Sequence, residues 1–467
     1  MIIKDRSFLN ADGTIPVKLI RKCIEEHQAQ NARLKKLDDY YDERHDITTR
    51  SFSDDSMPNN RLVCNHAAYI TDMAVGYVFG VPVQYAGEGA EELNKHYTKI
   101  DEDSHNNELA LDISVFGHGL ELVYMTDDES PEPVLACLSP LNSFLVVDNT
   151  VQHKTMFACT YNNVFDIDGV AKGYDITVYT ETQELTYHTD SLISEAYILK
   201  EDGTAEHYFN GIPVIEYQNN KREKGDFEPV ITLIDAYNKL QSDRVNDKEQ
   251  LVDALLAVSN VTFGDTEEEM TATAKLLKKM KILELPEGAD AKWLIKNMNE
   301  TEVEVLKRAI KDDIHEFSKV PCLTDENFVG NASGVAMKYK LLGFEQLGKT
   351  KERYFKKGLR QRLKLTDNIN AIKAKNTNLT KLDIAMKRSL PVDDELLARI
   401  AQETEGFISW ETRVNRFDPE LDAEEERKRL EEEKKMNVEL QQQAFGSYDF
   451  KNGGDEDEDN NLDRDID

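Results

Sequence analysis

Five apolar residues, Val303, Leu306, Ile310, Ile314 and Phe317, recur at steps of 3, 4, 4 and 3 between Thr301 and Pro321, and they constrain this 467-residue chain more tightly than any other feature. Those steps place all five on one narrow seam of a single helix, the pattern of helix-on-helix packing. Thr301 and Glu304 fit a capping box at its start, and Pro321 closes it. A second helical run, residues 229–258, precedes it, with Ile234, Tyr237, Leu240, Leu251, Leu255 and Val258 as apolar positions. Its middle, QSDRVNDKEQ, holds one apolar residue, Val245. A helix buried in a monomer core keeps its stripe continuous, so this polar waist predicts an exposed segment or one packed on a neighbouring subunit; a plain surface helix is the other reading. Residues 260–299 lie between the two helices, with an acidic patch, DTEEE, and a strand candidate, KILEL, ending at Pro286. Two helices flanking a small insert make a hairpin-like stalk.

The rest of the chain has room for two to four compact units. Thr14 and Pro16 signal a first long helix, with Val17, Ile20, Ile24, Leu34, Leu37 and Tyr41 near one face, and a second helix is expected at residues 65–79. Residues 81–217 change to short β-rich runs, among them LVYM, PVLACL, FLVVD, TMFACTY, DITVYT and ELTYHT, which predict an antiparallel mixed α and β domain ending near Asn220. A Gly- and Asn-containing loop, LTDENFVGNASG, leads into a long basic helix at residues 335–365. After it come a strand candidate before Pro391, helices around 394–403 and 422–443, and the tail GGDEDEDNNLDRDID, too charged to fold alone. The fold class predicted is α+β, mainly helical.

Charge is patterned along this order. The whole chain carries a formal −32, which argues against clamping a polyanion, yet residues 334–390 hold 15 basic residues against 4 acidic, and residues 418–467 hold 19 acidic against 7 basic. Cys23, Cys64, Cys137, Cys159 and Cys322 form no CxxC pair, so they read as reduced thiols of a cytoplasmic product. The N-terminus lacks the order of a signal peptide, and no apolar run reaches membrane-spanning length; the nearest, residues 67–83, is interrupted by Asp72.

One motif suggests an enzyme. GFEQLGKT, residues 343–350, satisfies GxxxxGK[ST] and would make Lys349 a phosphate ligand and Thr350 a magnesium ligand. The preceding AMKYKLL is not a buried strand, however, and Glu345 inside a phosphate nest would oppose the ligand. The competing reading is two glycines within a long helix. Cys64 and His66 have no third ligand nearby in sequence, neither HExxH nor GxSxG occurs, and no cofactor is implied.

Two stretches carry a resemblance: GIPVIEYQNNKREKGDFEPVITLIDAYNKLQSDRVNDKEQLVDALL, from Gly211, and DENFVGNASGVAMKYKLLGFEQ, from Asp325; PVDDELLARIAQETEGFISWETRVNRFDPELDAEEERKRLEEE is a looser third. In order and spacing they resemble the portal proteins of tailed double-stranded DNA bacteriophages of the long-tailed kind. That resemblance implies a structural, non-enzymatic subunit of a multi-domain portal fold, assembled in the host cytoplasm as a ring of twelve at one capsid vertex of the virion, through which double-stranded DNA passes without sequence specificity. Its implied partners are the terminase large subunit, the major capsid and scaffold proteins and a head-completion adaptor, with no membrane. Carried onto this chain, it makes residues 1–228 the wing, 229–259 and 300–320 the stem helices, 260–299 the clip, 321–333 the tunnel loop, 334–390 the long wing helix and following strand, 391–443 crown-type helices and 444–467 the acidic tail. Asn327, Asn331, Lys338 and Lys340 are the DNA-tunnel candidates, the two lysines being readable equally as solvated helix charges, and Asp265, Glu267, Glu268 and Glu269 are the clip residues expected to dock partners. The alternatives are a P-loop NTPase of a packaging motor and a minor head or scaffold component.

Overall fold

The computed structural model describes residues 1–53, 57–252, 255–259, 266–272, 290–294, 300–323, 339–375, 377–389, 399–400, 402–417 and 423–445. They fall in two compact units, Met1–Ser389 and Leu390–Asp467. The first opens with β1 (Ile2–Lys4) and α1 (Val17–Tyr41), which starts directly after Pro16 as the sequence predicts. Its buried face is Leu19, Ile20, Cys23, Ile24, Leu34, Leu37 and Tyr40, so Tyr40 rather than the expected Tyr41 closes the stripe. α2 (His66–Phe79) is capped by Asn65, whose side-chain oxygen accepts from the Ala68 N–H at 3.0 Å.

The β-rich region contains more helix than its sequence suggests. After β2 (Gln84–Ala86) come α3 (Ala90–Lys99) and α4 (Glu102–Phe116). Eight strands follow: β3 (His118–Met125), β4 (Pro133–Leu138), β5 (Ser143–Asp148), β6 (Thr155–Phe165), β7 (Ala171–Tyr179), β8 (Gln183–Thr189), β9 (Ile198–Glu206) and β10 (Val214–Gln218). One sheet has the order β1-β5-β6-β7-β8-β9 and a second β10-β3-β4. All pairings in them are antiparallel except β1 with β5, so the expectation of an antiparallel domain holds apart from that edge.

Past Asn220 the chain stays within the same unit. α5 (Ile231–Val252) is followed by β11 (Leu255–Ser259), antiparallel to β12 (Asp290–Leu294). The helix expected to reach Val258 therefore ends at Val252, and Leu255 and Val258 belong to a strand that pairs across the insert. α6 (Glu300–Ser318) and α7 (Leu342–Ile372) follow, the latter ending seven residues beyond the expected 365, while the first four residues of the expected 335–365 lie outside the described residues. β13 (Asp383–Ala385) then pairs with β2. The main core gathers α2, α4, β10 and the inward face of α7, with Ile70, Val78, Phe355, Leu359 and Leu363 each at most 1% exposed.

The second unit contains α8 (Trp410–Phe417) and α9 (Ala423–Phe445), joined by a hydrogen bond from the Trp410 indole to the Ala423 carbonyl. Most of the expected helix at 394–403, the KILEL strand and the acidic tail from residue 446 lie outside the described residues.

Candidate assembly and channel surface

The polar waist of α5 has a partner inside its own chain. Asn238, Ser242 and Asn246 are all buried, and their side-chain oxygens accept from the backbone N–H groups of Cys64, Leu62 and Asn60 at 2.8, 2.9 and 2.8 Å. The match is geometric. Every fourth residue of a helix rises about 6 Å and every second residue of an extended chain about 6.8 Å, so the two repeats stay in step for three contacts. Arg50 reinforces the seam through Asp243 at 2.7 Å and the Asn60 carbonyl at 2.8 Å. This face of the waist is thus neither free surface nor a place for a neighbour, contrary to the expectation, because an extended segment of the same polypeptide needs its polar side chains. The amino-terminal half of α5 is fixed differently, by buried Ile234 and Tyr237 and by the Tyr40 hydroxyl donating to Asp235 at 2.5 Å.

α6 leaves its seam open. Ile314 is fully buried and Val303 and Ile310 are half-buried, but Leu306 and Phe317 are 51% and 58% exposed, as is Val305, at 64%, on the other side of the helix. Burying an aliphatic or aromatic side chain is worth roughly 1.5–3 kcal/mol, so Leu306 and Phe317 offer a considerable unused driving force for association. Glu304 accepts from Lys307 at 3.0 Å and from Arg244 at 3.1 Å, which ties α6 to α5, and Thr301 lies inside the helix rather than at its cap, so the two do not form the expected capping box.

Of the clip residues, Glu267, Glu268 and Glu269 stand exposed on a helical turn at residues 267–272, and Asp265 lies outside the described residues. The loop at 324–333 with Asn327 and Asn331 is also outside them, as is Lys338, whereas Lys340 is exposed just before α7. The structure therefore brings the acidic triplet into one turn, and of the four tunnel candidates it describes Lys340 alone.

GFEQLGKT folds as the first turns of α7, which corrects the nucleotide reading. From Glu345 on, its N–H groups are spent on helix hydrogen bonds, the first to the Leu341 carbonyl, and Glu345 accepts from the Tyr77 hydroxyl at 2.5 Å and from Arg388 at 3.2 Å. Gly348 lets α2 approach: a Cβ there would stand 3.2 Å from the Tyr77 ring. Cys64 and His66 acquire neighbours the sequence did not suggest, sharing a cavity of about 280 Å³ with His315 and Cys322. Among the described residues no three His, Cys, Asp or Glu side chains are arranged to hold a metal.

Sequence reasoning also missed the buried charges that seat α7. Arg362, with no exposure, donates to Glu121 at 3.0 Å, to Glu102 at 2.6 Å and to Asn106 at 2.8 Å. Burial alone would raise the Glu121 carboxyl, but Arg362, helped by His105 at 2.9 Å, holds it down at about 2. Lys351, also buried, lies 2.6 Å from Asp226. Both cations share the inward face with Phe355, Leu359 and Leu363, so a cation interrupting an apolar stripe was the available signal.

The family model described as phage portal protein, SPP1 Gp6-like, matches residues 20–440. The chain is similar to the portal protein of Clostridium phage phiCD119, 24% identical over 452 residues covering 90% of this chain and 96% of that protein. It is similar also to the portal protein of Bacillus phage SPP1, 23% identical over 482 residues covering 94% and 90%. Among solved structures it resembles a chain in the neck of a native gene transfer agent particle computed with C12 symmetry, with 14% identity and a TM-score of 0.37, covering 75% of this chain and 89% of that one. A chain from the virion of a native gene transfer agent particle gives the same identity and coverage with a TM-score of 0.36.

Proposed function

This chain belongs to the SPP1 Gp6-like family of phage portal proteins and is a structural portal subunit, and from that premise we propose that copies of it close into a ring of twelve around a bore wide enough for duplex DNA. The ring sits at one vertex of the capsid in the virion, and DNA enters and leaves through it. The open seam of α6 supports this reading most directly: Leu306 and Phe317 are unburied in one chain and suited to a second.

The insert between α5 and α6 is the dock for the terminase large subunit and later for a head-completion adaptor, with Asp265, Glu267, Glu268 and Glu269 offering an acidic edge to a basic partner surface. Asn327, Asn331, Lys338 and Lys340 are placed at the constriction, where a few amide and ammonium groups touch phosphate without trapping it. Major capsid and scaffold proteins contact the outer body.

Negative-stain imaging and mass photometry of the purified chain test the proposal. Rings with a central hole are expected for the wild type, and the double substitution Leu306→Asp with Phe317→Asp is expected to give folded monomers by circular dichroism. A wild-type protein that stays a monodisperse monomer across protein concentration and salt overturns it.

A further inference from the structure

The helix that carries the chain's basic run exposes part of it without salt bridges among the described residues. Arg353, Lys357, Arg360 and Lys364 are exposed on α7, and at 100° per residue they fall within an arc of about 60°. Arg353, Lys357 and Lys364 form no salt bridge among the described residues, and Arg360 reaches only the Thr380 carbonyl, at 3.3 Å. The nearby acids are otherwise engaged. Glu352 is bound by Lys356 at 2.6 Å and Arg388 at 2.8 Å, and Asp367 accepts from Thr377, Leu379 and Thr380. Glu216, beside Lys357 in a small cavity, is itself buried. In a molecule of formal charge −32, four exposed cations on one stripe, none in a salt bridge and only Lys357 near a carboxylate, Glu216, form a patch that a polyanion would complement.

We propose that this face of α7 binds the phosphate backbone of duplex DNA without regard to sequence. Every exposed residue from Arg353 to Lys364 is Arg, Lys or Gln. A protein interface would instead place aromatic or aliphatic side chains at its centre and avoid lysine there. The stripe runs about 16 Å, the span of about five phosphates of one strand, so its length and charge match a segment of backbone. Four phosphate contacts per subunit would grip DNA and oppose sliding, so the stripe serves DNA held against the protein outside the bore, complementing a constriction that lets DNA move.

The choice of DNA as the polyanion rests on the portal reading; the stripe itself does not. The test titrates the full-length protein into a fluorescent duplex of about 30 base pairs at salt concentrations from about 50 to about 200 mM. Four neutralised phosphates give a slope of about −3.6 in log affinity against log salt, so binding is expected to weaken about 150-fold across that range. The variant R353Q/K357Q/R360Q/K364Q is expected to lose most of the affinity and of the slope. R353Q/K357Q/K364Q, which keeps the Arg360 contact with Thr380, is expected to lose about three quarters of the slope. Unchanged DNA binding by both folded variants overturns the inference, and so does loss of oligomer with DNA binding intact, which would make the stripe a contact between copies. Ring formation is imaged in the same samples. Rings without stripe-dependent DNA binding sink this inference alone, and an absence of rings sinks the portal assembly.

Discussion

Replacing Arg362 with Met isolates the electrostatic anchor of α7. In the native protein Glu121 has no exposure, and its carboxyl is held at about 2 against an ordinary 4.5. The difference, about 2.5 units at 1.36 kcal/mol each, is about 3 kcal/mol of stability. Because the native carboxyl is depressed, that stability is fully present above pH 4.5 and disappears as the pH falls from there through 2. Removing the guanidinium leaves desolvation as the dominant influence, so the carboxyl rises above its unfolded value. The folded variant then takes up a proton the unfolded chain has released, and its stability falls as the pH rises toward neutrality. Breaking a buried pair from one side costs about 3–5 kcal/mol, consistent with the titration figure. With an unfolding entropy of about 2.1 cal/mol/K per residue over Met1–Ser389, a loss of about 3 kcal/mol lowers the melting temperature by about 4 °C. Thermal melts followed by intrinsic fluorescence at several pH values between about 5 and 8 read both effects, and adding Glu121→Gln should restore part of the loss. A variant melting within 1 °C of wild type, or following the same pH profile, refutes the reasoning.

Gly358→Ala would put a Cβ 2.3 Å from the Tyr217 ring and is expected to destabilise by about 2 kcal/mol or more, whereas Gly343→Ala, with its nearest atom 4.0 Å away, should be neutral or gain up to about 1 kcal/mol in thermal melts. Ser242→Ala and Asn246→Ala each leave a backbone N–H of the extended segment without its acceptor and should cost about 1–3 kcal/mol, with faster amide exchange at Leu62 and Asn60 as the local readout. Subunits of like charge repel, so ring formation should strengthen with added salt or divalent cations in mass photometry; steep weakening would mean that interface ion pairs dominate.

Local patterns were the most legible part of the fold. α1, α2, α6 and most strands announce themselves because a cap, a proline or a periodic apolar face defines each within a dozen residues. α4 does not, since its first turns, EDSHNN, are polar and its later residues are buried on more than one side, which erases the helical period. β9 was also hidden: ILKEDGTAE is an edge strand exposed along most of its length and has little apolar content to alternate. The apolar seam of α6 was legible as a helix face, but the polar seam of α5 was misjudged. A row of Asn and Ser at helical spacing means surface unless the distant segment that needs those acceptors is known, and residues 60–64 lie about 180 positions away.

α7 shows how one basic run can serve two opposed purposes. Measured around the helix axis from Arg353, the inward cations Lys351 and Arg362 lie at about 160° and 180°, and the outward cations lie near zero. The inward pair is matched by Asp226, Glu121 and Glu102, charges that bury only because their partners are fixed within hydrogen-bonding reach. The outward four have no such partners, so their charge remains available to whatever approaches. A helix uniformly neutralised on both faces would anchor the fold equally well and attract nothing; one unpaired on both would not bury. The acids that match the run come from α4, β3 and the loop before α5, all against the inward face, and this one-sided pairing turns a stretch of net positive charge into an anchored helix with a cationic outer surface.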